Sequence, residues 1–263
     1  IHRRNTGYAI DLLLETEPFN GDGEKFNFSK MIAGSEGTLA FITEAKLHLV
    51  PLPPPVKGLI CVHCKTLEDA LKGNLVALGY EPGAIELMDK TVMDLSKENI
   101  TQRKNRFFIE GDPEAILIVE FARDSKDEIL AIAEKMEKEM KSKGLGYHFP
   151  VIFGSDIPRV WAVRKAGLGL LSNMPGDAKP VPVVEDAAVR PEDLPEYIAE
   201  FKSMLNGLGL QCVYYAHIAT GELHLRPVLN LKVSKDVELF HTVAEETARL
   251  VKKYKGSLSG EHG

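Results

Sequence analysis

The sequence predicts an α+β fold in which helices cover an antiparallel or mixed sheet, and three observations carry that expectation. Strand-like and helix-like stretches interleave along most of the 263 residues. Segments 211–217 and 222–229 stand close enough to pair as neighbouring strands. Residues 125–142 repeat apolar side chains at helical spacing through Ile129, Ile132, Met136 and Met140. With 44% hydrophobic and 27% charged residues, the chain has material for one or two cored domains, and disorder, collagen and low complexity are excluded.

Taken in order, residues 29–50 open with a short polar start and a glycine-bracketed turn, Gly34-Ser35-Glu36-Gly37-Thr38. An alternation through Phe41, Thr43, Ala45, Leu47 and Leu49 then reads as a strand. Pro51-Leu52-Pro53-Pro54-Pro55 removes backbone donors and favours extended geometry, which suits a connector. A boundary near residue 55 gives two regions, 1–55 and 56–263. Beyond it, 58–64 reads as a strand, 66–78 as a helix capped by Thr66, and 116–121 as a buried strand. The helix over 125–142 ends at Gly144 and Gly146. The expected remainder is helix 157–171, strand 181–189, helix 191–206, strands 211–217 and 222–229, and helix 234–254. No repeat of fixed period occurs.

Thirty-eight acidic against thirty-two basic residues give a net charge of −6, so the chain has no footprint for a nucleic-acid backbone and no nucleic-acid partner is expected. Three cysteines, Cys61, Cys64 and Cys212, make no disulfide framework; this fits a reducing compartment, and a cytoplasmic location is expected. No apolar run reaches the roughly 18 residues of a membrane span, and the first residues lack the apolar core of a secretion signal. Without an initial methionine, and stopping within Ser259-Gly260-Glu261-His262-Gly263, the sequence reads as an excerpt of a longer protein.

Several positions carry chemistry. His217 and His224 flank a reversal in which Gly221 can supply the positive dihedral, and facing strands could bring both imidazoles to one metal or leave them as hydrogen-bonded histidines. Arg164 shares a helical face with Ile157, Val160, Trp161, Leu168 and Leu171, so its charge needs an anion there: a protein carboxylate such as Glu185, or an anionic ligand. Arg226, two residues past His224, adds a second cation on the same strand face. Glu185 and Asp186 interrupt an apolar strand and need a cation, with Arg164 or Lys179 the expected partner. Glu261 and His262 lie between glycines that could aim them at a metal and a substrate. Cys61 and Cys64 should point to opposite faces of a strand and so form no knuckle, and Cys212 reads as core. His48, His148 and His241 have no evident polar partners.

These residues resemble a known family. Met31 to Ala45, with Asn5-Thr6-Gly7-Tyr8 before it, is similar to the end of the flavin-binding domain of FAD-linked oxidases of the vanillyl-alcohol-oxidase type. Val184-Glu185-Asp186, the His217 to His224 segment and Ser259 to Gly263 resemble their substrate domain, as in D-lactate and D-2-hydroxyglutarate dehydrogenases. The resemblance implies a C-terminal piece of a FAD-binding domain over 1–55 and a substrate domain over 56–263, acting on a small 2-hydroxy acid by hydride transfer to FAD. It implies a divalent metal on His217, His224 and Glu261, zinc first among zinc, manganese and iron. His262 becomes the base, Arg164 the carboxylate-binding arginine and Lys179 a loosely matched substrate contact. Asn5, Thr6, Gly7, Tyr8, Gly34, Ser35, Glu36, Gly37, Thr38 and Glu185 become cofactor contacts.

The sequence departs from the family pattern at the turn Ala219-Thr220-Gly221-Glu222 and at Arg226, where an asparagine is expected. Arg226 suggests a substrate with a second carboxylate, such as 2-hydroxyglutarate. The likeness is to the subgroup whose full-length chains append an iron–sulfur electron-transfer domain, so that domain is one expected electron acceptor. The flavin's glycine-rich pyrophosphate segment would precede Ile1, so the chain alone is expected to purify colourless. A zinc hydrolase using His217, His224 and Glu261, and a non-catalytic metal- or carboxylate-binding module, remain open alternatives.

Overall fold

The computed structural model describes residues 7–262. Two short helices come first, α1 (Ile10–Leu14) and α2 (Ser29–Ile32). The elements β1 (Val56–Cys64), α3 (Leu67–Leu78), β2 (Ala84–Asp89), α4 (Lys90–Glu98), α5 (Ile100–Arg103), β3 (Ala115–Arg123), α6 (Lys126–Ser142) and β4 (Val151–Phe153) follow. Next come α7 (Ile157–Lys165), α8 (Gly167–Ser172), β5 (Lys179–Pro180), β6 (Val184–Ala188), α9 (Leu194–Gly207), β7 (Cys212–His217), β8 (Glu222–Leu229) and α10 (Ser234–Lys253).

The strands form one eight-stranded sheet in the order β4-β1-β3-β2-β7-β8-β5, with β6 beside β8 as well. Every strand pair is antiparallel, which settles the expectation of an antiparallel or mixed sheet. Alternation along each strand divides the core between two faces. On one face, Ile60, Val62, Leu117, Val119, Leu223 and Leu225 pack against α3, α6, α9 and α10. On the other, Leu59, Cys61, Met88, Ile116, Ile118 and Tyr215 pack against α4, α7 and α8. Cys61 and Cys64 therefore lie on opposite faces, and burial pushes the Cys64 thiol up to about 12.

Local chemistry explains the helix starts. Thr66 and Ser125 accept from the backbone N–H three residues on, and the Ser125 hydroxyl also donates to the Glu128 carboxylate. Asp89 ends β2 and caps α4 by accepting from Val92 N–H.

The structure corrects four expectations. Residues 40–55 form no strand: Phe41, Leu47, Leu49 and Leu52 are exposed, and no strand pairs with them among the described residues. An alternating pattern makes a strand only when a ladder partner exists. The helix expected over 157–171 breaks at Ala166 into α7 and α8, which turns Leu168 outward and buries Val163 beside Val160 instead. The strand expected over 181–189 shortens to β6, and a separate short strand, β5, precedes it at Lys179–Pro180. His148 has partners after all: its ring meets His63 edge-on at 4.9 Å, and Nε2 lies 3.4 Å from Glu110. The exposed His241 likewise lies 3.8 Å from Glu245.

Candidate active site on the sheet

Three strands build the site. Leu87 pairs with Ala216 and Met88 with Tyr215 across β2 and β7, so Glu86 falls opposite His217. Across β7 and β8, Val213 faces Arg226, Tyr215 faces His224, and His217 faces Glu222. The intervening residues Leu87, Ala216, Leu223 and Leu225 serve the core of the α3–α6–α9–α10 face. Alternation therefore puts Glu86, Tyr215, His217, Glu222, His224 and Arg226 together on the other face, where α7 delivers Arg164.

The reversal between β7 and β8 depends on Gly221. Its φ is +77°, and a Cβ there would fall 1.8 Å from Val189 O, so backbone geometry and space both demand glycine. His217 and His224 are diagonal across the pair rather than directly opposed, with ring centroids 5.0 Å apart in an edge arrangement.

Glu86 binds two site residues. His217 Nδ1 lies 2.7 Å from Glu86 Oε1, and Arg164 Nη2 lies 2.8 Å from Oε2. The Glu86 contact raises the His217 pKa, with burial opposing it. The Arg164 ion pair is bent away from hydrogen-bond geometry, so Nε and Nη2 remain buried donors without a hydrogen bond among the described residues. Arg164 thus pairs with Glu86, not with Glu185 as expected.

Glu185 meets Arg226 instead. Arg226 Nη2 donates to it at 2.8 Å, while Nε bonds the Tyr215 hydroxyl. The Arg164 and Arg226 guanidinium carbons lie 4.9 and 5.3 Å from the centre of the Tyr215 ring. Burial would raise the Glu185 carboxyl, but His224 and Arg226 outweigh it and hold it below the usual range. Lys179, on β5, bonds the Met174 carbonyl rather than either carboxylate.

Asp186 sits in a register shift of β6 against β8, with φ at +62° and 1% of its surface exposed. Its Oδ1 lies 3.0 Å from His224 Nδ1 and its Oδ2 lies 3.3 Å from His262 Nε2. Burial raises the Asp186 carboxyl despite both imidazoles. The last residues are docked, not loose: Ser257 and Ala188 exchange backbone hydrogen bonds, Gly260 N–H donates to Asp186 O at 2.7 Å, and His262 N–H donates to Ser259 Oγ.

His262 Nδ1 also lies 3.9 Å from Glu36, which brings the 34–38 loop beside the patch. That loop and the preceding segment enclose a cavity of about 210 Å³ lined by Gly7, Tyr8, Gly34, Ser35, Glu36 and Thr38, with the Tyr8 hydroxyl 2.8 Å from Thr38. Asn5 and Thr6 lie outside the described residues.

The candidate metal donors fall in three groups, each with one ligand atom per residue within 4.8 Å of the others: His217, Glu222 and Glu261; Asp186, Glu261 and His262; and Glu185, Asp186 and His224. Asp186 and Glu261 link the groups, and His224 shares none with His217 and Glu261 among the described residues. Imidazole nitrogen with carboxylate oxygen is a donor set that fits a divalent ion. Sequence reasoning missed Glu86 and Tyr215 and gave Glu222 no role. The available signal was one glutamate between Ile85 and Leu87, in a strand that went unread.

Comparison with known proteins places this geometry. Residues 53–263 match the family described as FAD linked oxidases, C-terminal domain. A D-2-hydroxyglutarate dehydrogenase of Haemophilus influenzae is 36% identical over 277 residues, covering 100% of this chain and 26% of that protein. A D-lactate dehydrogenase of Archaeoglobus fulgidus is 28% identical over 239 residues, covering 90% of this chain and 49% of that protein. The chain thus spans about a quarter of the first relative's length and about half of the second's. The structure of 4-ethylphenol oxidase from Gulosibacter chungangensis shares the fold at a TM-score of 0.55 and 13% identity, covering 80% of this chain and 46% of that one. With four-fifths of its length matched, the chain belongs to the FAD-linked oxidases, as a carrier of their C-terminal domain.

Proposed function

We propose that this chain is the substrate-domain portion of a flavin-dependent dehydrogenase that oxidises a D-2-hydroxy acid to the 2-oxo acid. The observation that carries the reading is Arg164, a largely buried permanent cation paired with Glu86 through Nη2, whose Nε has no hydrogen bond among the described residues. Such a fork matches a planar carboxylate. The names of the relatives supply the substrate class, D-2-hydroxyglutarate or D-lactate.

His217, His224 and Glu261 are the proposed ligands of a divalent metal, with Glu222 in the same donor group as His217 and Glu261. Such an ion would supply Lewis-acid polarisation of the substrate hydroxyl. FAD, which the 34–38 loop would help to hold, would supply the hydride acceptor. The remaining work falls to side chains of this chain. Arg164 grips the carboxylate. Asp186 Oδ2 lies 3.3 Å from His262 Nε2 and favours the proton there, which leaves Nδ1 as the basic atom on the side of the 34–38 loop. His262 Nδ1 then takes the hydroxyl proton.

Arg226 is the proposed second cation, selecting a dicarboxylate such as 2-hydroxyglutarate, and Lys179 is a further proposed substrate contact. The electron acceptor is proposed to be an iron–sulfur domain of the longer protein.

Steady-state kinetics of the full-length, flavin-loaded protein with a dye acceptor test the reading. Arg164→Ala should lower kcat/KM on D-2-hydroxyglutarate and D-lactate alike, by about 30-fold or more, the scale of losing about 2 kcal/mol from a buried charge contact. Arg226→Ala should depress only the dicarboxylate reaction; equal losses would remove its selective role. Turnover of neither acid by the loaded wild type would sink the proposal.

A further inference from the structure

We propose that Glu86 is the positioning residue of this site, one largely buried carboxylate that orients both the metal-binding imidazole of His217 and the substrate-binding guanidinium of Arg164. The inference rests on the function proposed above and adds a group that no motif of the sequence marks.

Three features of the structure support it. Glu86 divides its oxygens: Oε1 takes the His217 Nδ1 contact at 2.7 Å and Oε2 takes the Arg164 ion pair at 2.8 Å. Its side chain is 12% exposed and Arg164's is 11%, so water competes little for these contacts. The carboxylate projects from the middle of β2, a strand paired on both edges, so its backbone cannot drift with the loops.

The chemistry follows from donor counting. A neutral imidazole has one N–H, and a carboxylate accepts only, so Glu86 fixes that hydrogen on Nδ1 and leaves the lone pair on Nε2 for a metal. The same carboxylate holds Arg164 Nη2 at 2.8 Å, which keeps the guanidinium plane from rotating while Nε has no hydrogen bond among the described residues. A glutamine in its place could not do both. An amide turned to accept from His217 would present its NH2 to Arg164, donor against donor.

Glu86→Gln and Glu86→Asp, made in the full-length protein, test the assignment with two readouts. One is zinc affinity of the metal-stripped protein, measured by competition with a chromophoric chelator; the other is the separation of KM from kcat on D-2-hydroxyglutarate. Glu86→Gln should weaken zinc binding by about 10- to 100-fold, the usual effect of removing a histidine's outer partner. It should also raise KM, and in an Arg164→Ala background it should raise KM no further, because it acts through that arginine. Glu86→Asp, which keeps the charge on a shorter arm, should recover part of the zinc affinity and serves if the glutamine variant does not fold.

Zinc affinity and KM both unchanged in Glu86→Gln, while His217→Ala abolishes zinc binding, would overturn the inference and leave the metal reading intact. A wild type that takes up no zinc would instead refute the metal reading. The KM cycle would then decide the arginine half alone: non-additive losses uphold it and additive losses overturn it.

Discussion

His63 shows what a single buried titratable group does to this protein. Nothing of its surface is exposed, its Nδ1 meets Cys61 O at 3.1 Å, and its Nε2 accepts from Glu110 N–H at 3.2 Å. One nitrogen donates and the other accepts, so the ring is held neutral, and burial first among its causes lowers the pKa from 6.5 to about 4. Above pH 6.5 neither the folded nor the unfolded state carries the proton. Between 6.5 and about 4 only the unfolded state takes it up, so stability falls as pH falls through that window and levels off below it. The loss should total about 3 kcal/mol, read from urea unfolding midpoints at a series of pH values, and His63→Gln should flatten the slope. Residue-scale reading of the sequence succeeded where a side chain's task depends on its near neighbours. Arg164 stood out because a charge interrupts an apolar helical face, and His217 and His224 because a glycine reversal separates them. Glu86 did not stand out, because its partner His217 lies 131 positions away and only tertiary pairing reveals the match.

At the scale of elements, capping chemistry was legible and pairing was not. Thr66 opened a helix as expected because the cap bond is local. The run from Phe41 to Leu49 had a strand's period and found no partner among the described residues, while β2 went unnoticed beneath the charged residues of its own sequence. The Asp186 bulge is illegible for a related reason: it exists only as a mismatch of β6 against β8. The β7–β8 reversal offers the sharpest test at this scale. Gly221→Ala must leave a φ of +77° or push a Cβ into Val189 O, and either response costs at least about 2 kcal/mol. A lowered denaturation midpoint, accompanied by weaker zinc binding as His217 and His224 are re-aimed, is the expected outcome; unchanged stability would refute this account of the turn.

Across the whole molecule, the site lies where two halves of the sheet meet. Glu86 comes from the half containing β1, β3 and β4, whereas His217, Glu222, His224 and Arg226 come from the half containing β5, β6 and β8. Long pairing joins β1 to β3 from Val56↔Arg123 to Cys64↔Ala115, but β2 and β7 are in register only at Leu87↔Ala216 and Met88↔Tyr215. That join is therefore the narrowest ladder within the central part of the sheet. Hydrogen exchange should find the amides of β7 that face β2 less protected than those of β1 and β3, and equal protection would refute the inference.

The narrow join also ties the proposed chemistry to the integrity of both cores. Parting β2 from β7 by a few ångströms would take His217 from Glu86 and open both cores, because Leu87 and Ala216 share one and Met88 and Tyr215 share the other. Mild denaturant should accordingly weaken the proposed zinc binding only as fluorescence reports melting, and a ligand spanning the join would act as a clasp.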